Sequence, residues 1–293
     1  MILRTAKPAL VHIPYYSCGT IEDALTAEDV PFKYYYLDNE LLPKISQVES
    51  DEYLLYINYF DLQYKNVDHL YEQYGSRLIV DNVQAFFRGG YKDCWSFNSA
   101  RKFYGLPDGA YLYGPSLPGH IQGHNKNYSI EHLLYRALGE NGKAYELYKQ
   151  QEHAINTDVF LMSELSSTLL QHTDHAAVME KRRQNFAFLH DALKDINHFP
   201  GLDDMDADAV PFFYPLLPER PVNRGSLIAQ QLFIPQFWPE RSAGAASGSL
   251  EASLINDLLP LPIDQRYGRR EMEEIVQTIQ YEYQGQISHH QGH

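Results

Sequence analysis

The sequence predicts an α/β protein: a three-layer sandwich on a mainly parallel sheet, followed by a smaller α+β domain. Six short strand-like runs fall within the first 114 residues, spaced so that helices fit between several of them. The segments between carry apolar residues at helical spacing. Beyond about residue 158 the texture shifts to long helical patterns broken by proline-punctuated strands, so the division falls at 1–158 and 159–293.

"ALVHIP" (9–14) reads as a buried strand ended by Pro14. "TIEDALTAEDV" (20–30) follows, with Thr20 and Asp23 three residues on as a helix-start signal. "FKYYYLD" is the second strand and "DEYLLYINYF" (51–60) the third. "DHLYEQYG" (68–75) is a helix stopped by Gly75, since glycine accepts the left-handed backbone that ends helices. "RLIVD" (77–81), "CWSFNS" (94–99) and "GAYLYG" (109–114) complete the set of strands. A polar loop (120–129) leads into "IEHLLYRAL" and "GKAYELYKQQEHAI", both helical. The clearest helix spans 173–196: a Thr173/Asp174 cap, then Met179, Phe186, Leu189, Leu193 and Ile196 on one stripe. "AVPFFYPLLPE" (209–219) reads as a strand, "RGSLIAQQLFI" as a helix and 242–253 as a flexible loop. A last helix is closed by Gly285.

Composition narrows the function classes. Lys and Arg number 24 against 38 Asp and Glu, a formal net charge of −14, which disfavours a nucleic-acid partner. The longest basic cluster, Lys181-Arg182-Arg183, reads as a solvated helix face. Cys18 and Cys94 are the only cysteines, so neither a disulfide framework nor a Cys-x-x-Cys metal site is predicted. The 13 histidines show no metal-ligand spacing, and the "HHQGH" ending reads as a frayed tail. No apolar run approaches the roughly 20 residues of a membrane span, and "MILRTAKPALVHIPYY" has no secretory-signal pattern. A cytoplasmic protein without a membrane partner is the expectation. The 23 tyrosines suit either a stacking platform for a sugar or base, or strand packing; packing is the simpler reading.

In a doubly wound sheet, ligands bind beyond the carboxyl ends of the strands. Asp81 ends one strand there, and "SFNSARK" leaves the next strand at the same rim. Asp81 and a cation at that rim form either a plain ion pair or a site for chemistry. Arg101 stays protonated at any working pH. Lys102 can become a nucleophilic amine once its value falls from about 10.4. With Lys102 as a Schiff-base lysine, Ser99 would hold a phosphate, Asp81 would pair with a protonated pyridine nitrogen, and Gln84 would meet a phenolate oxygen. These are the parts of a pyridoxal phosphate (PLP) site.

"LIVDNVQAFF" followed by "WSFNSARKFYGLPDGA" resembles the signature of DegT/DnrJ/EryC1/StrS-type aminotransferases. "VHIPYYSCGTIEDAL", "LLYINYFDLQ", "MSELSSTLL", "KRRQNFAFLHDAL" and "LLPLPIDQRYGRREMEEIV" extend the likeness along nearly the whole chain. The resemblance implies a fold-type-I, PLP-dependent enzyme. It would move an amino group from a donor such as glutamate to a keto-sugar, commonly nucleotide-linked, in surface polysaccharide or secondary-metabolite biosynthesis. It also implies a homodimer. Asp81, Gln84, Ser99 and Lys102 carry over as pyridine, O3′, phosphate and carbonyl partners.

Three departures accompany it. Counting from Ser96, the family spacing reaches Arg101, whereas Ser99-x-x-Lys102 reaches a lysine. Gly109-Ala110 stands where the family has Gly-Gly. The chain also opens at what resembles the second element of the large domain, so the resemblance implies an N-terminally shortened fold, from a misplaced gene start or from truncation with a weakened cofactor site. The ring-stacking aromatic falls near "YYSC", making Tyr16 and Cys18 candidates, although packing explains either. Asn58 is either a cofactor contact or a strand-end turn residue. Arg266 is either an anion ligand or a packing ion pair. Relatives with histidine for the lysine carry out sugar dehydration, which Lys102 disfavours; a non-catalytic dimeric scaffold is the rival from another class.

Overall fold

The strand-like runs pair into one sheet whose carboxyl-end rim builds the site. A computed structural model describes the chain except for residues 118–120, 122, 154–157, 204 and 291–293. A one-turn helix, α1 (Ile2–Ala6), precedes β1 (Leu10–Pro14), α2 (Gly19–Ala27) and β2 (Phe32–Leu37). β3 (Pro43–Lys44) is a two-residue edge strand, followed by β4 (Glu52–Ile57) and α3 (Tyr64–Tyr74). Gly75 stops α3 at φ 59°, in the role its sequence position suggests. β5 (Leu78–Asn82), β6 (Trp95–Asn98), α4 (Ala100–Phe103) and β7 (Leu112–Tyr113) complete this half.

The sheet order is β3-β2-β1-β4-β5-β6-β7. β1 pairs in parallel with β2 and β4, and the β4–β5 and β5–β6 pairings are also parallel. Both edge pairings, β2–β3 and β6–β7, are antiparallel. The expected α/β class and mainly parallel sheet are present. Several of the tyrosines are packing residues in the core: the hydroxyls of Tyr35, Tyr56 and Tyr59 donate to the carbonyls of Leu55, Leu41 and Tyr16 at 2.8, 3.0 and 2.8 Å.

A helical hairpin, α5 (Glu131–Ala137) and α6 (Asn141–His153), follows the sheet. α7 (Glu164–Gln171) starts at Ser163, which accepts the Ser166 N–H, and α8 (His175–Leu193) starts at Asp174, which accepts the Ala177 N–H. Both are side-chain N-caps of the kind that stabilise a helix start. β8 (Tyr214–Leu216), α9 (Arg224–Ala229), α10 (Leu250–Asn256), β9 (Leu259–Leu261) and α11 (Arg269–His290) close the chain. β8 and β9 pair antiparallel, and α8 packs on α11, which makes this half α+β.

Local readings of the sequence are corrected at several points. Cys18, not Thr20, is the N-cap of α2. The strand expected over 51–60 stops at Ile57; Tyr59–Asp61 forms a 3-10 turn in which Phe60 and Asp61 are left-handed, φ 59° and 64°. Such a backbone costs on the order of 1–2 kcal/mol per non-glycine residue. The region 242–253 contains the start of α10, because Ser249 accepts the Ala252 N–H and caps a helix there. Gly285 does not close α11. Arg182, expected on a solvated face, is 1% exposed: it donates to the carbonyls of Pro211 and Phe212 at 3.3 and 3.1 Å and lies over the Phe103 ring. The side chains of the "HHQGH" ending, and residues 120 and 122 of the expected polar loop, lie outside the described residues. Among the described residues, no group of His, Cys, Asp or Glu could hold a metal, and no helix is long and apolar enough to cross a membrane.

Gly114 follows β7 where a Cβ would overlap the buried Trp95 ring of β6. Gly114→Ala is expected to lower stability by about 1–3 kcal/mol, read as a lower urea midpoint at unchanged m-value. An unchanged midpoint would show that Trp95 can move aside.

Candidate active site

The pleat of the parallel strands places alternate residues on one face. The register sets Leu55 beside Ile79, Ile57 beside Asp81, and Asp81 beside Phe97. All five line a cavity of about 440 Å³, within the usual range for small-ligand sites. α1 and α2 cover it, and Phe212, Phe237 and Trp238 contribute aromatic wall from the C-terminal half.

Of the residues singled out from the sequence, Cys18, Asp81, Gln84, Ser99 and Lys102 meet at this cavity. Ser99 is the N-cap residue of α4, so one turn of helix presents Arg101 and Lys102 to the same space. Ser96 pairs with Val80 on the opposite sheet face and does not line the cavity. The serine at the site is therefore Ser99, which agrees with the spacing that ends at Lys102.

Asp81 is 6% exposed and accepts one hydrogen bond, from the Val83 N–H at 2.8 Å. Burial pushes its carboxyl up from 3.8 to about 7, against the Val83 amide and the charge of Lys102. The Lys102 amine makes no hydrogen bond or ion pair to the described residues; the side chain is exposed and lines the cavity. Crowding by the cavity walls, and then the neighbouring Arg101, hold its amine below the ordinary lysine value, although Glu152, Cys18 and Asp81 pull the other way. Both groups are pushed toward their neutral forms, so desolvation outweighs their mutual attraction. This is not the closed ion pair that the sequence left open.

Gln84 accepts the Phe60 N–H on Oε1 at 3.0 Å. Arg101 pairs with Glu152, which reaches in from α6. Ser99 and Arg101 also line a second cavity of about 680 Å³, which adjoins the first and includes Asp108, Asn125 and Gln151 in its wall. Glu152 has no sequence signal, because the contact spans 51 positions. The wall residues Phe212, Phe237 and Trp238 escaped the sequence reading for the same reason.

Tyr16 and Asn58 lie elsewhere. Tyr16 is 1% exposed, stacked on Tyr59 and set edge-on to Trp238, with its hydroxyl on the Leu254 carbonyl. Asn58 donates to Asp61 and Asn82 at 3.3 and 3.2 Å and accepts the Gln63 N–H at 3.1 Å. Neither lines the cavity. Arg266 pairs with Asp264 at 2.7 Å, also off the cavity.

No protein-family profile and no curated protein sequence matches the chain. Solved structures do. The sugar aminotransferase CalS13 from Micromonospora echinospora superposes with a TM-score of 0.59 at 15% identity, covering 94% of this chain and 82% of that one. DesV from S. venezuelae gives 0.61 at 15%, covering 94% and 80%. Spr1654 from Streptococcus pneumoniae in its PLP form gives 0.58 at 10%, covering 94% and 82%. At these identities the likeness is one of fold, the fold-type-I arrangement of the aminotransferases.

The Asp81 value sets a pH dependence. Its folded pKa lies above the unfolded one, so the native state holds the extra proton between about pH 4 and 7. The stability this contributes is complete below about pH 4 and is lost as pH rises through about 7. A shift from 3.8 to about 7 corresponds to roughly 4 kcal/mol. Asp81→Asn is expected to flatten this limb of the stability–pH curve in buffer without added ligand. An Asp81→Asn curve parallel to wild type between pH 4 and 8 would contradict it.

Proposed function

We propose that the chain is a PLP-dependent aminotransferase acting on a keto-sugar with an amino-acid donor, glutamate by resemblance. The observation that carries this is the facing of an under-bonded buried carboxylate, Asp81, and an unpaired amine of lowered pKa, Lys102, across one small-ligand cavity. A pyridinium nitrogen would give Asp81 a hydrogen-bonded positive partner, which the described residues do not supply. Fold likeness to sugar aminotransferases supports the same reading.

The residues present fit the cofactor. Asp81 would hold the ring nitrogen, Gln84 would donate to the phenolic oxygen, and Ser99 with Arg101 would receive the phosphate. Bound there, pyridoxal phosphate would supply an electron sink for the bonds at the substrate carbon. The protein's own contribution follows from its side chains. Lys102 would carry the cofactor's carbonyl and, once displaced by the donor amine, take and return the proton at Nζ. Its lowered pKa leaves more of the amine in the free-base form that this role needs. Phe212, Phe237 and Trp238 would keep water from the reacting face. The polar second cavity beyond Ser99 and Arg101 would receive the hydroxyl groups of the acceptor. A homodimer, a cytoplasmic setting, a place in surface-polysaccharide or secondary-metabolite synthesis, and a division at 1–158 and 159–293 belong to the same reading.

The chain purified with pyridoxal phosphate is expected to show a near-visible absorbance band, and borohydride reduction is expected to fix the cofactor mass on the peptide containing Lys102. Lys102→Ala should lose both, and L-glutamate should bleach the band in wild type with release of 2-oxoglutarate. A folded wild type with no band and no fixed mass would sink the enzyme reading in favour of a scaffold.

A further inference from the structure

A carboxamide has two ends of the same shape and opposite hydrogen-bonding roles. A glutamine in a cavity wall therefore recognises one kind of ligand atom only if something prevents it from turning over. Gln84 is held from behind. A backbone N–H can only donate, so the bond from Phe60 N–H at 3.0 Å requires Oε1 on that side. Nε2, which has no partner among the described residues, is left for the cavity that Gln84 lines.

Phe60 offers its amide from a left-handed backbone, and Asp61 continues in the same conformation. Phenylalanine is disfavoured there, and aspartate, though more tolerant, rarely follows a second left-handed residue, so the surroundings must hold the pair. Asp61 is where they do so. Its Oδ1 accepts Arg88 Nε at 2.7 Å and Asn58 Nδ2 at 3.3 Å, and its Oδ2 accepts the Val210 N–H at 2.7 Å. Arg88 continues to Asp206 at 3.0 Å. The Phe60 carbonyl accepts the Phe212 N–H at 3.2 Å, and Phe212 itself lines the cavity against Phe103, the residue after Lys102. Asp61 and Arg88 are not part of the cavity wall.

We propose that the Phe60–Asp61 corner, clasped by Arg88 and the 206–210 segment, is a positioning device that fixes Gln84 as a hydrogen-bond donor to a ligand oxygen. Through it, the orientation of a group in the cavity wall depends on a segment of the C-terminal half. Asp61 and Arg88 act only through Gln84 and are positioning residues. The proposal concerns a donor and its orientation, and only its spectral test rests on the pyridoxal phosphate reading.

The test uses the full chain with Gln84→Met, Arg88→Met, Arg88→Lys and the double variant Gln84→Met/Arg88→Met. By NMR, Phe60 amide exchange is expected to quicken about tenfold in Gln84→Met and in Arg88→Met, as for loss of one buried hydrogen bond. The Gln84 side-chain amide signal, identified by its absence in Gln84→Met, should shift or broaden in Arg88→Met and return toward wild type in Arg88→Lys. In protein loaded with pyridoxal phosphate, Arg88→Met should move the pH midpoint of the chromophore in the same direction as Gln84→Met, and the double variant should move it no further than Gln84→Met alone. Should Arg88→Met not fold, Asp61→Asn replaces it. An unmoved Gln84 amide in a folded variant, or additive midpoints in the double variant, would overturn the proposal. If wild type takes up no pyridoxal phosphate, the enzyme reading fails while the exchange and amide measurements still decide this one.

Discussion

A carboxylate set in an apolar wall with a single amide donor is a costly group to fold, and the site is arranged around it. Removing an ion from water costs several kcal/mol even after relaxation, unless an opposite charge or several donors meet it. Asp81 has Ile57 on one side and Phe97 on the other in the sheet register, and only the Val83 N–H as donor. The fold tolerates this by letting the carboxyl rise to about 7. The parallel sheet explains how the group comes to be there: three neighbouring strands end at one rim, and the pleat turns Asp81 to the face covered by α1 and α2. A positively charged partner bonded to it in the cavity would reverse the penalty.

The amine facing it depends on distant parts of the molecule. α4 is four residues long, far too short to be stable as an isolated helix. Its geometry is imposed from outside: the Ala100 N–H reaches the Gly109 carbonyl at 2.9 Å, and Gln265 donates to the Phe103 carbonyl at 2.9 Å. The Arg182 guanidinium lies over the Phe103 ring at 4.5 Å. Arg182 has no carboxylate within bonding distance among the described residues, and burial draws its pKa down to about 10. Its donors go instead to the Pro211 and Phe212 carbonyls. The same strand entrance, 210–212, therefore anchors the Lys102 helix through Arg182 and the Gln84 amide through Phe60. Both polar arms of the site are braced by the C-terminal half.

Features that depend on local periodicity could be read from the sequence. The strands, α8 with its Asp174 cap and the stop at Gly75 follow from apolar spacing and helix-end chemistry. So does the convergence of Asp81, Gln84, Ser99 and Lys102, because strand ends share a rim in such a sheet. Features set by tertiary contact were not readable. The helical period sets Arg182, and not Lys181 or Arg183, on the stripe with Val178, Phe186 and Leu189, but that a guanidinium can be buried there depends on the distant Pro211 and Phe212 carbonyls that receive it. Asn58 and Tyr16 lie in the right segments, but their bonds to Gln63, Asn82 and Leu254 turn them away from the cavity. The early end of β4 was hidden because "YINYF" keeps its strand-like texture while Asp61 and Gln84 bend its backbone.

Arg101 and Lys102 show how chemistry separates two adjacent cations that local sequence cannot. Successive residues on a helix diverge by about 100°, so the two cannot share one set of partners. A guanidinium cannot shed its proton, so Arg101 keeps its charge and gains from a counter-charge beside it. Glu152 provides it and is held below its ordinary carboxylate value by that contact. Lysine has the other option of giving up charge, and the Lys102 amine is drawn in that direction, below the ordinary lysine value, with crowding by the walls the largest cause and Arg101 the next. Glu152 offsets part of the Arg101 repulsion, so the ion pair acts on the amine as a weakened cation. Exchanging the two residues would not be conservative: a lysine at 101 could release Glu152, and an arginine at 102 would leave a permanent charge opposite Asp81. Of these two cavity-lining cations, Arg101 has a carboxylate partner in Glu152 and the Lys102 amine has none among the described residues.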